Sequence, residues 1–349
     1  MSTLHDILDQ QADLIEQVLA AHKIPARVWG GVVTPRFVRY QLTTAAGVRL
    51  NKVLALKDEV AMMLGVSDVR MYRKDGAVYV EAPRNRPGVV RLLAIHKTLR
   101  QRPLGSVILG VDEEGAPLLV QLTSPDVAHI LVAGSTGSGK TILLRSMILS
   151  LALRHSPQTW QCLLIDPKSR GFGPLAGLPH LIRPIVTDPE LAIQALTDAV
   201  EEMEQRDRAK RNRPLFTLFI DELADLRMVG GRAVEKLLAR LTQRGREAGV
   251  HVIVATQRPA ATIVGGLVKA NLPVRLVGAV ASPEDAKVAT GIARSGAERL
   301  AGRGDFLLVA RGEVVRFQAA FASRQAIRAI VEGLRTRAAN KMPRRHVGS

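Results

Sequence analysis

The segment Gly134-Ser135-Thr136-Gly137-Ser138-Gly139-Lys140-Thr141 follows an apolar run, His129 to Ala133, and opens a stretch of helical spacing, Thr141 to Arg154. That order of strand, glycine-rich turn and helix is the context in which the pattern G-x-x-x-x-G-K-[ST] folds round a phosphate chain. The glycines let successive backbone N–H groups curl inward, and the helix N-terminus adds its dipole. Lys140 is placed to neutralise β- and γ-phosphate oxygens and Thr141 to ligate Mg²⁺. The residues Gly134, Ser135, Thr136, Gly137, Ser138, Gly139, Lys140 and Thr141 are therefore read as a nucleotide-binding loop.

Four further apolar runs, Cys162–Ile165, Leu215–Ile220, His251–Ala255 and Val274–Gly278, are separated by helical stretches at residues 188–211, 233–247 and 284–290. Strands apolar on both faces belong to a parallel sheet covered by helices, so residues 106–323 are expected to form an α/β domain. The first part of the chain has a different pattern. An amphipathic helix over residues 4–20 precedes alternating stretches around Val38-Arg39-Tyr40-Gln41-Leu42, Val69–Tyr72 and Val78–Val80, with a hairpin-turn signal at Asp75-Gly76. Residues 1–105 are thus expected to be a small α+β domain. Residues 324–349 carry a short helix and then a basic tail, partly disordered, with no apolar period beyond Arg337.

The 349 residues hold 49 Lys and Arg against 32 Asp and Glu, a net charge of +17, which favours polyanionic partners. Cys162 is the single cysteine, which excludes an internal disulfide and fits a reducing cytoplasm. No run of eighteen apolar residues exists to cross a membrane, and the first residues lack a basic leader, so direct membrane insertion is not expected. Aromatic residues make up 3% of the chain, little material for stacking on bases, so contact with nucleic acid should be charge on phosphate. Arg36, Arg39, Arg70, Arg73 and Lys74 read as a solvated strand face.

Asp221 and Glu222 stand at the C-terminal end of the run Leu215–Ile220, the edge where α/β sheets bind ligands. Asp221 suits the Mg²⁺ shell, and Glu222 suits the base that orients or deprotonates an attacking water. Gln257, in Ala255-Thr256-Gln257-Arg258-Pro259, ends another strand, where a side-chain amide can sense the γ-phosphate.

Taken together, Ile165-Asp166-Pro167-Lys168, Pro179-His180-Leu181, Ile220-Asp221-Glu222-Leu223-Ala224-Asp225-Leu226, Ala255-Thr256-Gln257-Arg258-Pro259 and Gly266-Leu267-Val268-Lys269-Ala270-Asn271 resemble the motor of the FtsK/SpoIIIE family of DNA translocases. Residues from about 24 to 123 resemble the smaller domain that precedes the RecA-like core in that family. The resemblance implies ATP as substrate with Mg²⁺, a ring-shaped homo-hexamer around double-stranded DNA, and the roles above for Lys140, Thr141, Asp221, Glu222 and Gln257. It also implies an arginine reaching the neighbouring subunit's γ-phosphate, for which Arg275 fits, with Arg244 and Arg246 in reserve. Arg232 and Lys236, after Gly230-Gly231, correspond to the region that faces the DNA channel. The family's membrane-spanning part and its winged-helix domain have no counterpart here, which implies recruitment by a membrane or mobile-element partner. The related alternative is a coupling ATPase of conjugation or protein secretion.

Overall fold

The computed structural model describes residues 4–35, 37–74, 76–84, 88–99, 101–257 and 271–341. The expectations for Arg36, Asp75, Arg258, Pro259, residues 266–270 and residues 342–349 lie outside the described residues. The chain divides into two units, Met1–Val89 and Val90–Ser349.

The first unit runs α1 (Leu4–Ala21), β1 (Ala26–Val33), β2 (Phe37–Thr44), α2 (Leu50–Leu54), α3 (Lys57–Met63), β3 (Arg70–Lys74) and β4 (Ala77–Pro83). Its strands form an antiparallel sheet in the order β1-β2-β4-β3. Alternation fixes which face is covered. Val38, Tyr40 and Leu42 of β2 and Val78, Val80 and Ala82 of β4 share one core with Ile15 and Leu19 of α1 and with Val53 and Val60. Arg70, Arg73 and Lys74 are exposed, as expected of a solvated strand face, whereas Arg39 is drawn against a buried carboxylate. That carboxylate is Glu81, 5% exposed, and its Oε1 accepts from Arg39 Nε and from the Tyr72 hydroxyl, each at 2.8 Å.

The second unit opens with α4 (Leu92–Thr98), β5 (Ser106–Asp112), β6 (Pro117–Gln121), β7 (Ile130–Ala133) and α5 (Lys140–Ala152). It continues with β8 (Trp160–Ile165), α6 (Pro189–Arg208), β9 (Leu215–Ile220), α7 (Leu223–Arg244) and β10 (Val250–Thr256). It closes with β11 (Val274–Gly278), α8 (Pro283–Thr290), β12 (Asp305–Ala310), β13 (Glu313–Ala319) and α9 (Arg324–Lys341). The break ahead of Val90 precedes the residue-105 boundary read from the sequence. Arg91 bridges Phe321 in parallel and α4 lies on β5, which ties residues 90–105 to this unit.

The nine strands form a single sheet in the order β6-β5-β13-β12-β11-β7-β10-β9-β8. Its parallel half, β11-β7-β10-β9-β8, contains every apolar run picked out above. The other four strands are antiparallel, so the sheet is mixed where a parallel one was expected. Successive side chains feed opposite faces. Ile130 and Val132 meet α5, whose Leu143, Leu144, Met147, Ile148 and Leu151 are fully buried, while Leu131 meets the core under α6 and α7.

Two helices differ from expectation. Helix α7 begins at Leu223 rather than Ala233 and is broken at Gly231, whose φ of 49° and ψ of −127° no α-helix contains. Helix α9 continues past Arg337 to Lys341 as one 18-residue element.

Candidate active site

Parallel register brings four strand ends to one edge. Ala133 pairs with Thr256 and Val277, and Ile220 pairs with Val254 and Ile165. Gly134 after β7, Gln257 after β10, Asp221 and Glu222 after β9, and Asp166 after β8 therefore leave the sheet side by side.

Gly134 (φ 150°), Gly137 (φ 83°) and Gly139 (φ 105°) all occupy left-handed or extended positive-φ conformations, which glycine enters freely. Space imposes the same choice. A Cβ on Gly139 would stand 2.8 Å from the backbone nitrogen of Gly304. The loop is held from both sides: Ser135 N–H donates to the carbonyl of Ala279 at 2.7 Å, Arg303 N–H to that of Gly137 at 3.0 Å, and Gly304 N–H to that of Ser138 at 2.8 Å. Behind this turn Asp305, fully buried, accepts from Arg316 Nε and Nη2, both at 3.0 Å, and from Ala301 N–H at 2.9 Å.

Lys140 opens α5 and is 7% exposed. Its Nζ donates to the carbonyls of Gly134 (2.6 Å) and Ser135 (3.0 Å), within the loop it would serve. Burial lowers its pKa, and the neighbouring Glu222 and Asp221 oppose that shift.

Thr141 Oγ1 donates to Asp221 Oδ1 at 3.0 Å. Burial raises the pKa of Asp221 to about 6; Thr141 opposes this, whereas the charges of Asp166 and Glu222 add to it. A carboxylate beside a hydroxyl offers oxygen ligands of the kind a hard divalent cation such as Mg²⁺ takes. Thr141 and Asp221 are the residues that could hold it. The approach is tight: a Cβ on Gly171 would stand 2.3 Å from Asp221 Oδ2.

Glu222 is 4% exposed and caps α7, accepting from Ala224 N–H at 3.3 Å. Gln257 N–H donates to the same carboxylate, at 3.1 Å to Oε2 and 3.2 Å to Oε1. The Gln257 side-chain oxygen accepts from Thr136 Oγ1 at 2.9 Å. One residue thus ties the glycine loop to the Glu222 carboxylate.

The remaining residues singled out from the sequence lie apart from this edge. Arg275 pairs in register with Leu131 and Val309, back along the sheet, and its guanidinium lies over Gly291, where a Cβ would stand 2.3 Å from Nη1. Arg232 and Lys236 are exposed on the second half of α7, and their stripe continues to Arg240 and Arg244. Arg244 is ion-paired with Asp207, and Arg246 is exposed.

Two contributors had no role in the sequence reading, although Asp166 stands in one of the motifs that carry the family resemblance. Asp166, 1% exposed, accepts from Gly171 N–H at 2.8 Å and Phe172 N–H at 2.9 Å, which fixes the loop under Asp221. An acidic residue ending the apolar run Cys162–Ile165 was the available signal, the same one that marked Asp221. Gly302-Arg303-Gly304 forms the floor of the glycine loop; paired glycines round a polar residue hint at a tight turn but not at its neighbour.

The family model for the FtsK alpha domain matches residues 2–84, and that described as FtsK/SpoIIIE family matches residues 89–213 and 207–261. The first match ends short of Val90, where the two units divide, and not at residue 123. The chain is 34% identical over 356 residues to a DNA translocase FtsK of Staphylococcus epidermidis, covering 93% of this chain and 44% of that protein. It is 36% identical over 368 residues to a DNA translocase FtsK of Mycobacterium leprae, covering 95% and 43%. It thus spans less than half the length of these relatives. Among solved structures, the pCW3 conjugation coupling protein TcpA shares the fold with a TM-score of 0.63 at 18% identity, covering 93% of this chain and 99% of TcpA. The cytoplasmic domain of the Thermomonospora curvata type VII secretion ATPase EccC gives 0.59 at 26% identity, covering 67% and 32%. Among the described residues no helix is long and apolar enough to cross a membrane. With both units matched in sequence and the phosphate loop and its carboxylates on one sheet edge, the chain belongs to the FtsK/SpoIIIE family.

Proposed function

We propose that this chain is an ATP hydrolase that drives double-stranded DNA through a ring of six copies. The observation that carries the reading is the convergence of the glycine loop, the Thr141–Asp221 contact and Glu222 on one sheet edge. In this reading Lys140 and the backbone N–H groups of residues 134–141 bind the β- and γ-phosphates. Mg²⁺ held by Thr141 and Asp221 would supply neutralising charge. Glu222 orients a water toward the γ-phosphorus and takes its proton. The new P–O bond forms as the bond to the β-phosphate oxygen breaks, leaving ADP and phosphate.

Gln257 reports the event, because it accepts from Thr136 on the loop and donates to Glu222 at the head of α7. Arg232 and Lys236 on the second half of α7 are our candidates for the DNA phosphates, and Arg275 for the finger that completes the neighbour's site. The net charge of +17 supports a polyanionic substrate, whereas a motor for polypeptide secretion has no need of it. We place the protein in the cytoplasm, with recruitment by a membrane or mobile-element partner.

The test is ATP hydrolysis by the purified chain with and without duplex DNA. Stimulation by duplexes of unrelated sequence is the expected result. Equal turnover with and without DNA, or stimulation by a protein substrate instead, overturns it.

A further inference from the structure

The turn ahead of β12 places three successive residues at positive φ: Gly302 at 69°, Arg303 at 50° and Gly304 at 94°. Glycine suits all three positions, yet the middle one is arginine. Arg303 N–H donates to the carbonyl of Gly137 at 3.0 Å, Gly304 N–H to that of Ser138 at 2.8 Å and Asp305 N–H to that of Gly302 at 3.1 Å, while Gln318 Nε2 donates to the Arg303 carbonyl at 3.1 Å. None of these bonds uses the Arg303 side chain. It is exposed, and among the described residues its guanidinium has neither a hydrogen bond nor an ion pair.

A left-handed backbone at a residue other than glycine persists where its surroundings fix it, and such positions gather at sites that clamp a ligand. Here the surroundings are the glycine loop. A side chain as long as arginine, rooted one hydrogen bond from Gly137, reaches the groups that the loop amides would hold. Its planar fork of N–H donors matches phosphate oxygens, and no partner among the described residues has to release it first.

Strand order decides which phosphate lies on that side. The loop follows β7; β10 and β9, which lead into Gln257, Asp221 and Glu222, lie to one side of it, and β11 and β12 to the other. Strand β12 runs antiparallel to β11 with Phe306 opposite Gly278, so its first residues stand at the same sheet edge as the loop. Arg303 therefore flanks the loop on the side away from Glu222. The γ-phosphate belongs beside Glu222, where water is activated, and the α-phosphate at the other end of the triphosphate.

We propose that Arg303 binds the α-phosphate of ATP and of ADP held in the glycine loop of its own subunit. The proposal rests on reading residues 134–141 as the nucleotide loop. Such a contact serves ground-state binding, because the α-phosphate takes no part in transfer of the γ-phosphoryl group.

The test measures Kd for ADP and for a non-hydrolysable ATP analogue by calorimetry, with KM and kcat for ATP and the Tm of each variant. Asparagine enters the left-handed region readily, so Arg303→Asn keeps the turn and removes the charge. Arg303→Gly does the same without strain, and Arg303→Lys keeps the charge. The Asn and Gly variants should bind both nucleotides at least roughly tenfold more weakly, by equal factors and at parental Tm, and Arg303→Lys should recover most of the loss. The change in turnover should fall on KM rather than kcat. A residue that only shapes the turn gives Arg303→Asn and Arg303→Gly chains that bind as tightly as the parent, and that result overturns the proposal. So does a loss confined to the ATP analogue, which would put the contact on the γ-phosphate, or weaker binding that comes with a lowered Tm in both the Asn and Gly variants. Lys140→Ala separates this failure from failure of the nucleotide loop: parental affinity that survives that substitution removes the loop assignment itself, whatever Arg303 does.

Discussion

Gln257 N–H and the carboxylate of Glu222 are joined at 3.1 and 3.2 Å, so the end of β10 holds the residue proposed to act on water. This hydrogen bond, together with the cap to Ala224, gives Glu222 a structural duty beside its chemical one. Substitutions at the position separate the two.

Glu222→Gln retains an oxygen that can accept from Gln257 and Ala224 but has no base. It should bind ATP at close to parental affinity and turn over at least a hundredfold more slowly, in the usual range for loss of a general base of about 10²–10⁴. Glu222→Ala should be equally inactive and also lose about 1 kcal/mol of stability through the missing cap. Nucleotide-binding and urea-unfolding measurements on the two variants check this. Normal hydrolysis by Glu222→Gln would remove the residue from the chemistry.

Stability should fall on acidification, with a sign set by the buried histidines. Burial depresses His129 to about 3, His155 to about 4 and His251 to about 4, against an ordinary value of 6.5. The unfolded chain therefore takes up protons first as pH drops below 6.5, each histidine costing up to about 1.4 kcal/mol per pH unit until its folded pKa is reached. Asp221 acts in the opposite direction. Its pKa, raised to about 6 from 3.8, favours the folded state at low pH, and that contribution is lost as pH rises through this window. Three histidines outweigh one carboxyl. The unfolding midpoint should decline from about pH 6.5 downward, more steeply in Asp221→Asn, which should itself be more stable than the parent at neutral pH.

Arg275→Ala should leave nucleotide binding intact and remove DNA-stimulated hydrolysis, because a finger is worth about 10³–10⁵ in rate. Burial lowers the pKa of the guanidinium and Gly291 makes room for it, but neither places it at this chain's own glycine loop. A role in trans is therefore tested by mixing Arg275→Ala with Lys140→Ala. Mixed rings contain junctions with both an intact loop and an intact finger, and should regain activity. Full activity of Arg275→Ala alone would shift the assignment to Arg244 or Arg246, of which Arg244 is engaged with Asp207.

Neutralising Arg232 and Lys236 to Gln should weaken duplex binding without sequence preference, and should reduce the slope of log K against log salt by about 0.9 for each phosphate left without its cation. The measurement is a salt titration of duplex affinity. An unchanged slope would place the DNA-binding surface elsewhere.

The nucleotide site was legible because its signals are local. A glycine loop ending in Lys140-Thr141 and an acidic pair ending an apolar strand are each contained in a few consecutive residues. The antiparallel strand β13 was not legible, since Glu313, Arg316 and Gln318 interrupt its apolar pattern and one of its two neighbours, β5, lies some two hundred residues away in sequence. The start of α7 was hidden by Gly230-Gly231, which reads as a hinge between elements, whereas the helix kinks there and continues on both sides. The ties of Gln257 to Thr136 and Glu222 depend on strand order, which places β10 between β7 and β9.

The floor of the glycine loop comes from the antiparallel extension: Arg303 and Gly304 donate to Gly137 and Ser138 just ahead of β12. A loop held this way cannot outlast its support. Any fluctuation that frays the start of β12, or pulls Asp305 from Arg316, also releases the carbonyls that shape the phosphate cradle. If the glycine loop holds nucleotide as proposed, substitutions in this hairpin are expected to appear as a shortened nucleotide residence time rather than as altered chemistry.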